Sequence, residues 1–309
     1  MSTESVAPHY VEYKQSLGFD FLSQAQMLHS FEVFASGRVF DVDVVLEWSR
    51  RGIGHPAGYD RSRYETIRRF SQFAHTLDPE VPALPVGVLS RTGDRVVPYI
   101  YSDDDIAVLM RVAGTVRSPD GLKAEALPFT IGLLACTGLR ISEAVALRDT
   151  DFDADAQTLT VRDSKNGHTR IIPVSDDTAN HIVVYQHRRD KVNRKQCPTR
   201  LIVGTGGTPL TQDSVERDFA QIRWSLLGRG ESFTGRKPRL HDLRHTFATM
   251  TILTWRDQGV DVNAMIPYLS VYLGHTKLSD TYWYLTGVPQ LLESASDAFR
   301  PLFTGGGHV

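Results

Sequence analysis

Apolar and polar residues alternate with a helical period over most of this chain. Residues 20–36, DFLSQAQMLHSFEVFAS, put Met27, Leu28, Phe31 and Phe34 on one stripe, with Asp20 as the expected cap and Gly37 as the stop. VDVVLEWSRR reads as a second, short helix. YDRSRYETIRRFSQFAHTL reads as a third, with Tyr64, Ile67, Phe70 and Phe73 at helical spacing. The periodicity then breaks in DPEVPALPVGVLSRTGDRVVP, whose prolines and glycines mark a linker. We therefore expect a helical N-terminal domain over 1–90, a linker over 91–98 and a second domain over 99–309.

The second domain opens with YSDDDIAVLMRVAG. Ser102 and Asp105 form an acidic capping box, and Gly114 is the expected stop. An apolar helix is predicted through LKAEALPFTIGLLACTG to about Gly138, then a short one in RISEAVALRD. QTLTVRDSKNGHTRIIPV alternates with period two on both sides of Ser-Lys-Asn-Gly, the pattern of a β-hairpin. Further helices are expected over 176–195, 211–227, 241–256, 276–285 and 289–299.

Composition narrows the class. At 309 residues the chain is long for one core, which agrees with two domains. Its formal charge of −2 gives no global positive field, so any nucleic-acid surface must be local. The two cysteines, Cys136 and Cys197, are far apart and in no metal-ligand spacing, which suits a reducing cytosol. The N-terminal residues carry no secretory pattern, and the longest apolar run, LPFTIGLLACTGL, is too short and punctuated to span a bilayer. A cytoplasmic protein without membrane contact is the expectation.

Several apparent motifs fail. DTDFDAD at 149–155 spaces acids like a calcium loop, but glycine and glutamate are missing where such a loop needs them. It reads as an acidic turn before a strand. GTGG at 204–207 lacks the Gly-Lys-Ser/Thr of a phosphate loop. His241 and His245 have the i, i+4 spacing that zinc uses, but Asp242 stands where a zinc protease has glutamate, and Arg244 would repel a cation. His241 and Arg244, at i and i+3, share a helix face and suit a phosphate better. No metal or cofactor is expected. LGHTKLSDTYWYL at 273–285 holds His275, Tyr282 and Tyr284, and by itself does not say which tyrosine carries chemistry.

TGLRISEA (137–144), HDLRHTFAT (241–249) and LGHTKLSDTYWYL, in that order, resemble the catalytic boxes of the tyrosine recombinase, or phage integrase, family. Lys165 fits as well, because the family has a lysine in a β-turn followed five residues later by an arginine that opens an apolar strand, here Arg170 and IIPV. The resemblance covers residues 100–295. It implies a mainly α fold with a small β-sheet: a helical, SAM-like DNA-binding domain, then an α+β catalytic domain. In the family the nucleophile lies nine residues after the histidine of the LGH box and three after a threonine. That count selects Tyr284, with Thr281 before it, and assigns Tyr282 and Trp283 to packing.

The resemblance gives each residue a role. Arg140 and Arg244 clamp the non-bridging oxygens of a phosphodiester. Tyr284 attacks, with neighbouring cations favouring its phenolate. His241 is the candidate base, His275 a hydrogen-bond donor to the phosphate, and Lys165 the acid for the leaving 5′-oxygen. Glu143, one turn after Arg140, orients it. Strand transfer through a 3′-phosphotyrosyl ester conserves the ester, so ATP and metal are unnecessary. Arg61, Arg63, Arg68 and Arg69 in the first domain, with Arg236, Lys237 and Arg239 before the catalytic helix, are the candidate DNA contacts, and 187–195 is another basic run. The stretch before the LGH box is about one turn longer than in phage integrases and is similar to transposon-encoded recombinases, some of which occur as trios of adjacent genes. That implies double-stranded DNA as partner, a homo-tetramer on two sites joined by the amphipathic tail VPQLLESASDAF, and sister recombinases. A type IB topoisomerase, a DNA-binding accessory protein with a decayed site and a metal-dependent hydrolase remain the competing readings.

Overall fold

The computed structural model describes residues 3–51, 58–89, 97–162, 169–192, 199–227 and 237–287. The chain divides into two compact units, Met1–Val96 and Val97–Val309.

The first unit has four helices: α1 (Thr3–Ser16), α2 (Leu22–Ala35), α3 (Val42–Arg50) and α4 (Tyr59–Leu77). Its core gathers Val6 and Tyr10 from α1, Leu28 and Phe31 from α2, Val45 and Trp48 from α3, and Tyr64, Ile67, Phe70 and Ala74 from α4. The periodicity locates α2 to α4 but not α1, which carries Pro8 within it. Asp20 does not cap α2. The helix begins after Phe21, which takes a left-handed conformation (φ 54°) and gives no side-chain cap. Asp41 does cap α3, accepting the Val44 N–H at 2.8 Å. The first part of the proline-rich stretch belongs to this unit: Val81 and Leu84 are buried in its core, and Tyr64 Oη donates to the Pro85 carbonyl at 2.9 Å.

The second unit starts with α5 (Asp103–Ala113). Its capping box is reciprocal: Ser102 Oγ accepts the Asp105 N–H, and Asp105 Oδ2 accepts the Ser102 N–H. Next come α6 (Leu122–Thr137), α7 (Ile141–Ala146) and strands β1 (Phe152–Asp153), β2 (Thr158–Val161) and β3 (Arg170–Pro173), then α8 (Asp176–Val192), α9 (Gln212–Leu227), α10 (Asp242–Asp257), α11 (Val262–Leu273) and α12 (Ser279–Gly287). The predicted hairpin is β2–β3, paired antiparallel from Thr158↔Pro173 to Val161↔Arg170. β1 adds a third, two-residue strand on the β2 edge. The Ser-Lys-Asn-Gly turn and the helix expected over 289–299 lie outside the described residues. α11 is not among the helices expected from the sequence; Pro267 lies within it.

α6 is the central element. Leu127, Ile131, Leu133 and Leu134 are buried in a core shared with Leu109 of α5, Leu159 and Ile172 of the sheet, Ile182 of α8, Phe219 of α9 and Leu243 of α10. Each such Leu or Ile contributes about 1.5–3 kcal/mol. A smaller cluster joins Ala248 and Ile252 of α10, Ile266, Leu269 and Leu273 of α11, and Tyr284 of α12. No helix among the described residues is long and apolar enough to cross a membrane.

The acids of DTDFDAD hold arginines. Asp149 takes Arg189 through both oxygens, at 2.7 and 2.9 Å, and Asp151 takes Arg162 at 2.6 Å. The Arg189 side chain is 2% exposed, so this part of the basic run at 187–195 is interior. Replacing Arg189 by Ala leaves Asp149 without its buried partner. We expect a loss of about 2–4 kcal/mol in the unfolding free energy of the second unit, read as a lower denaturant midpoint. An unchanged midpoint would show that the pair contributes nothing net.

Candidate active site

The site is assembled at two helix C-termini, which leave peptide carbonyls without intrahelical donors. α6 ends at Gly138 in the left-handed conformation (φ 61°), where a Cβ would stand 2.5 Å from Phe247 Cδ1. Glycine is required on both counts. The Gly138 carbonyl accepts Arg244 Nη1 at 2.8 Å. The chain then enters α7, where Glu143 Oε2 accepts the Arg140 backbone N–H at 2.9 Å.

α11 supplies the second end. Three consecutive carbonyls there each accept a different arginine: Tyr272 from Arg170 Nε at 2.8 Å, Leu273 from Arg244 Nη2 at 2.6 Å, and Gly274 from Arg140 Nη2 at 3.2 Å. Gly274 is also left-handed (φ 66°), and a Cβ on it would meet Arg170 Nη1 at 2.9 Å. Cations at a helix C-terminus are further favoured by the aligned peptide dipoles. Glu143, its side chain 4% exposed, links two of the arginines, accepting Arg140 Nη1 at 2.8 Å and both terminal nitrogens of Arg170 at 3.1 and 2.9 Å. Burial alone would raise its pKa, but the Arg170 and Arg140 hydrogen bonds and charges win and hold it down to about 2.

Tyr284 is 2% exposed and lies within the electrostatic reach of Arg244. Its ring centroid is 5.5 Å from that of His245 and 6.2 Å from that of His275. Tyr282 is 40% exposed, so it is a surface residue and not the packing residue expected of it, whereas Trp283 does pack, partly buried against the α10–α11 cluster. His275 Nδ1 lies 2.7 Å from Thr281 Oγ1. His241 keeps solvent exposure, yet the protein packed around its ring, with Arg244 and Arg239, lowers its pKa to about 4. His275 is likewise lowered to about 4 by burial, then by Arg244 and Arg140, and His245 to about 3 by burial and His241. All three imidazoles are neutral at pH 7. Burial and Arg140 also lower Arg244 to about 10, so it stays charged.

Arg140, Glu143, Arg244, His241, His275 and Tyr284 are thus gathered in the second unit, and Lys165 lies outside the described residues. Sequence reasoning gave no role to Arg170, Thr281 or His245. The i, i+4 spacing of the two histidines signalled that His241 and His245 meet, and their ring centroids are 5.0 Å apart. No group of three or more His, Cys, Asp or Glu side chains suited to a metal occurs among the described residues.

The expected DNA contacts divide. Arg69 is exposed and Arg61 half-buried. Arg63 is 8% exposed, its guanidinium 3.8 Å from the Trp48 ring centroid and donating to the Arg51 carbonyl. Arg68 pairs with Glu65, and Arg239 with Asp242. Arg63 is thus engaged in packing and Arg68 in a mostly covered ion pair, whereas Arg239 keeps half of its side chain exposed beside Asp242. Lys237 is exposed, and Arg236 lies outside the described residues.

The depressed histidines set a pH dependence. Their folded pKa values lie below the unfolded value of about 6.5, so between about pH 4 and 6.5 the unfolded chain binds more protons. Stability is full above that window and is lost as pH falls through it. Denaturant midpoints measured from pH 7 to about 4.5 should fall steadily, and His245→Gln should flatten the slope. A wild-type profile without slope there would contradict the depressed, neutral imidazoles.

Comparison with known proteins gives the family and the fold. The model of the phage integrase family matches residues 101–289. A protein named as an integrase/recombinase, y4rB, in Sinorhizobium fredii is 31% identical over 309 residues, 96% of each chain. Tyrosine recombinase XerC of Rhodospirillum centenum is 32% identical over 216 residues, 69% of this chain and 58% of the relative. The Tn1549 transposon integrase, solved in complex with transposon right end DNA, shares the fold with a TM-score of 0.65 at 16% identity, over 92% of this chain and 94% of that one. Extent of match, identity and fold agree, and the chain belongs to the phage integrase family.

Proposed function

We propose that this chain is a site-specific recombinase that cleaves and rejoins double-stranded DNA, with Tyr284 as its nucleophile. The observation that carries the reading is the Tyr284 ring lying among His245, His275 and the field of Arg244, on a frame that also holds Arg140. The phenol oxygen attacks the phosphorus and the 5′-oxygen leaves, giving a 3′-phosphotyrosyl ester. Attack by a DNA 5′-hydroxyl reverses the step and reseals a strand. Bond type is conserved, so no external energy source is needed.

Arg140 and Arg244 offset the charge that gathers on the phosphorane oxygens. Neutral His241 can take the phenol proton. When the Thr281 hydroxyl, 2.7 Å away, donates to His275 Nδ1, that ring's proton stands on Nε2, where a phosphate oxygen can accept it. Lys165 is the acid for the leaving oxygen by the family pattern. Glu143 positions Arg140. Arg61, Arg69, Arg236, Lys237 and Arg239 contact DNA, and the first unit is the core DNA-binding domain. The enzyme works in the cytoplasm as a tetramer on two sites, in a mobile element that can encode sister recombinases. Support for the DNA partner comes from solved relatives: the Tn1549 integrase on transposon DNA and a lambda integrase dimer bound to a core site.

The test uses duplexes selected by the protein from a random-sequence pool, each nicked at successive positions so that a cleaved fragment diffuses away. Wild type and Tyr282→Phe should accumulate a covalent protein–DNA adduct, and Tyr284→Phe none. An adduct in Tyr284→Phe would assign the nucleophile elsewhere. Arg140→Ala and Arg244→Ala should bind DNA within about threefold of wild type and lose at least about 100-fold in adduct rate. Equal losses in binding and rate would make them anchors only.

A further inference from the structure

We propose that Arg170 is a positioning residue for strand cleavage: it neutralises Glu143 and braces the end of α11, so that Arg140 keeps its charge for the phosphate. This inference rests on the reading above, in which Arg140 binds the scissile phosphate.

The geometry concerns who owns the Glu143 carboxylate. Each of its oxygens is shared. Oε1 accepts Arg140 Nη1 at 2.8 Å and Arg170 Nη1 at 3.1 Å, while Oε2 accepts the Arg140 backbone N–H at 2.9 Å and Arg170 Nη2 at 2.9 Å. A carboxylate has about four acceptor directions, and all are used. Arg170 spends its nitrogens inward: Nη1 and Nη2 on Glu143, and Nε on the Tyr272 carbonyl. Its side chain is 11% exposed, half the 22% of Arg140. Arg170 therefore acts through its neighbours, and Arg140 is the more open guanidinium of the pair.

Charge makes the division consequential. Arg140, Arg170 and Arg244 around Glu143 sum to +2. Without Arg170 the sum is +1, and Arg140 becomes the partner of a buried carboxylate, so less of its field reaches a bound phosphodiester. The Tyr272 carbonyl also loses its donor, next to the Leu273 and Gly274 carbonyls that hold Arg244 and Arg140. Arg170 thus joins β3 to α7 and α11 at the point where the pocket is built.

The experiment compares wild type, Arg170→Ala, Arg170→Lys, Glu143→Gln and the double variant Arg170→Ala/Glu143→Gln in the full chain, on the nicked duplexes described above. DNA affinity and single-turnover adduct rate are measured from about pH 5.5 to 8. Arg170→Ala should bind within about threefold of wild type and form adduct about 10- to 100-fold more slowly, by analogy with the loss of a hydrogen-bond partner that orients a metal ligand. Its deficit relative to wild type should narrow toward acid pH, because Glu143 has lost donors that keep it ionised and, once protonated, competes less for Arg140. The double variant should be faster than the product of the two single losses, since an uncharged amide in place of the Glu143 carboxylate no longer competes for Arg140. Arg170→Lys, which keeps the charge but not the forked contact, should be slow with an unchanged melting temperature. Wild-type rates in Arg170→Lys, or a double variant whose losses multiply, would overturn the proposal, and the Arg170→Lys outcome remains readable if Arg170→Ala fails to fold. Absence of adduct with wild type on every duplex would instead overturn the Tyr284 reading.

Discussion

Tyr272, Leu273 and Gly274 present their carbonyl oxygens in sequence at the end of α11, and each is taken by a different guanidinium. Those carbonyls would otherwise face solvent or a void unpaired, and the arginines would repel one another. Bringing the two together satisfies the helix end and orders the cations at once. The arrangement draws on four parts of the chain: the α6–α7 corner with Arg140, strand β3 with Arg170, helix α10 with Arg244, and α11 itself. His275 follows directly, its backbone N–H returning to the Ser270 carbonyl at 2.9 Å, and Tyr284 sits one short helix further on.

Burying this much positive charge is costly, and one carboxylate does most of the balancing. Glu143 is held ionised well below its ordinary pKa by two arginines and a backbone N–H. Arg244, by contrast, is 2% exposed and holds carbonyls, Gly138 and Leu273. The pocket is therefore electropositive before any DNA arrives, in a protein whose total charge is close to neutral. Cations fixed in advance need no reorganisation when charge develops on a phosphate, which is the condition under which they accelerate a reaction most.

Much of this is legible in the residues. Helices with clean periodicity, such as α4, or with a capping box, such as α5, can be read directly because burial on one face or hydrogen-bonded ends leave local marks. α11 escapes because IPYLSVYL reads as a continuous apolar run, although Tyr268 and Val271 are 69% and 72% exposed while Ile266, Leu269, Ser270 and Leu273 are buried and Tyr272 packs partly inward. β1, at two residues, is too short for any period to register. Within the site, counting by the family's spacing points to Tyr284 and to the residues found around it. It cannot assign Arg170 a part, because that depends on β3 lying against α7 and the end of α11. Nor can it separate Arg63 from Arg69, since stacking on Trp48 is a tertiary event.

The carbonyl row also restricts how the chain can change length. One residue inserted between Asp261 and Gly274 would rotate everything after it by about 100° and present the guanidiniums with side chains in place of oxygens. Adding about one complete turn within α11 restores the angular phase and changes only the axial height. Drift in this part of the protein should therefore proceed in whole turns, with single-residue gains and losses confined to the linker before Asp261, where Gly259 already bends the backbone with a φ of 72°.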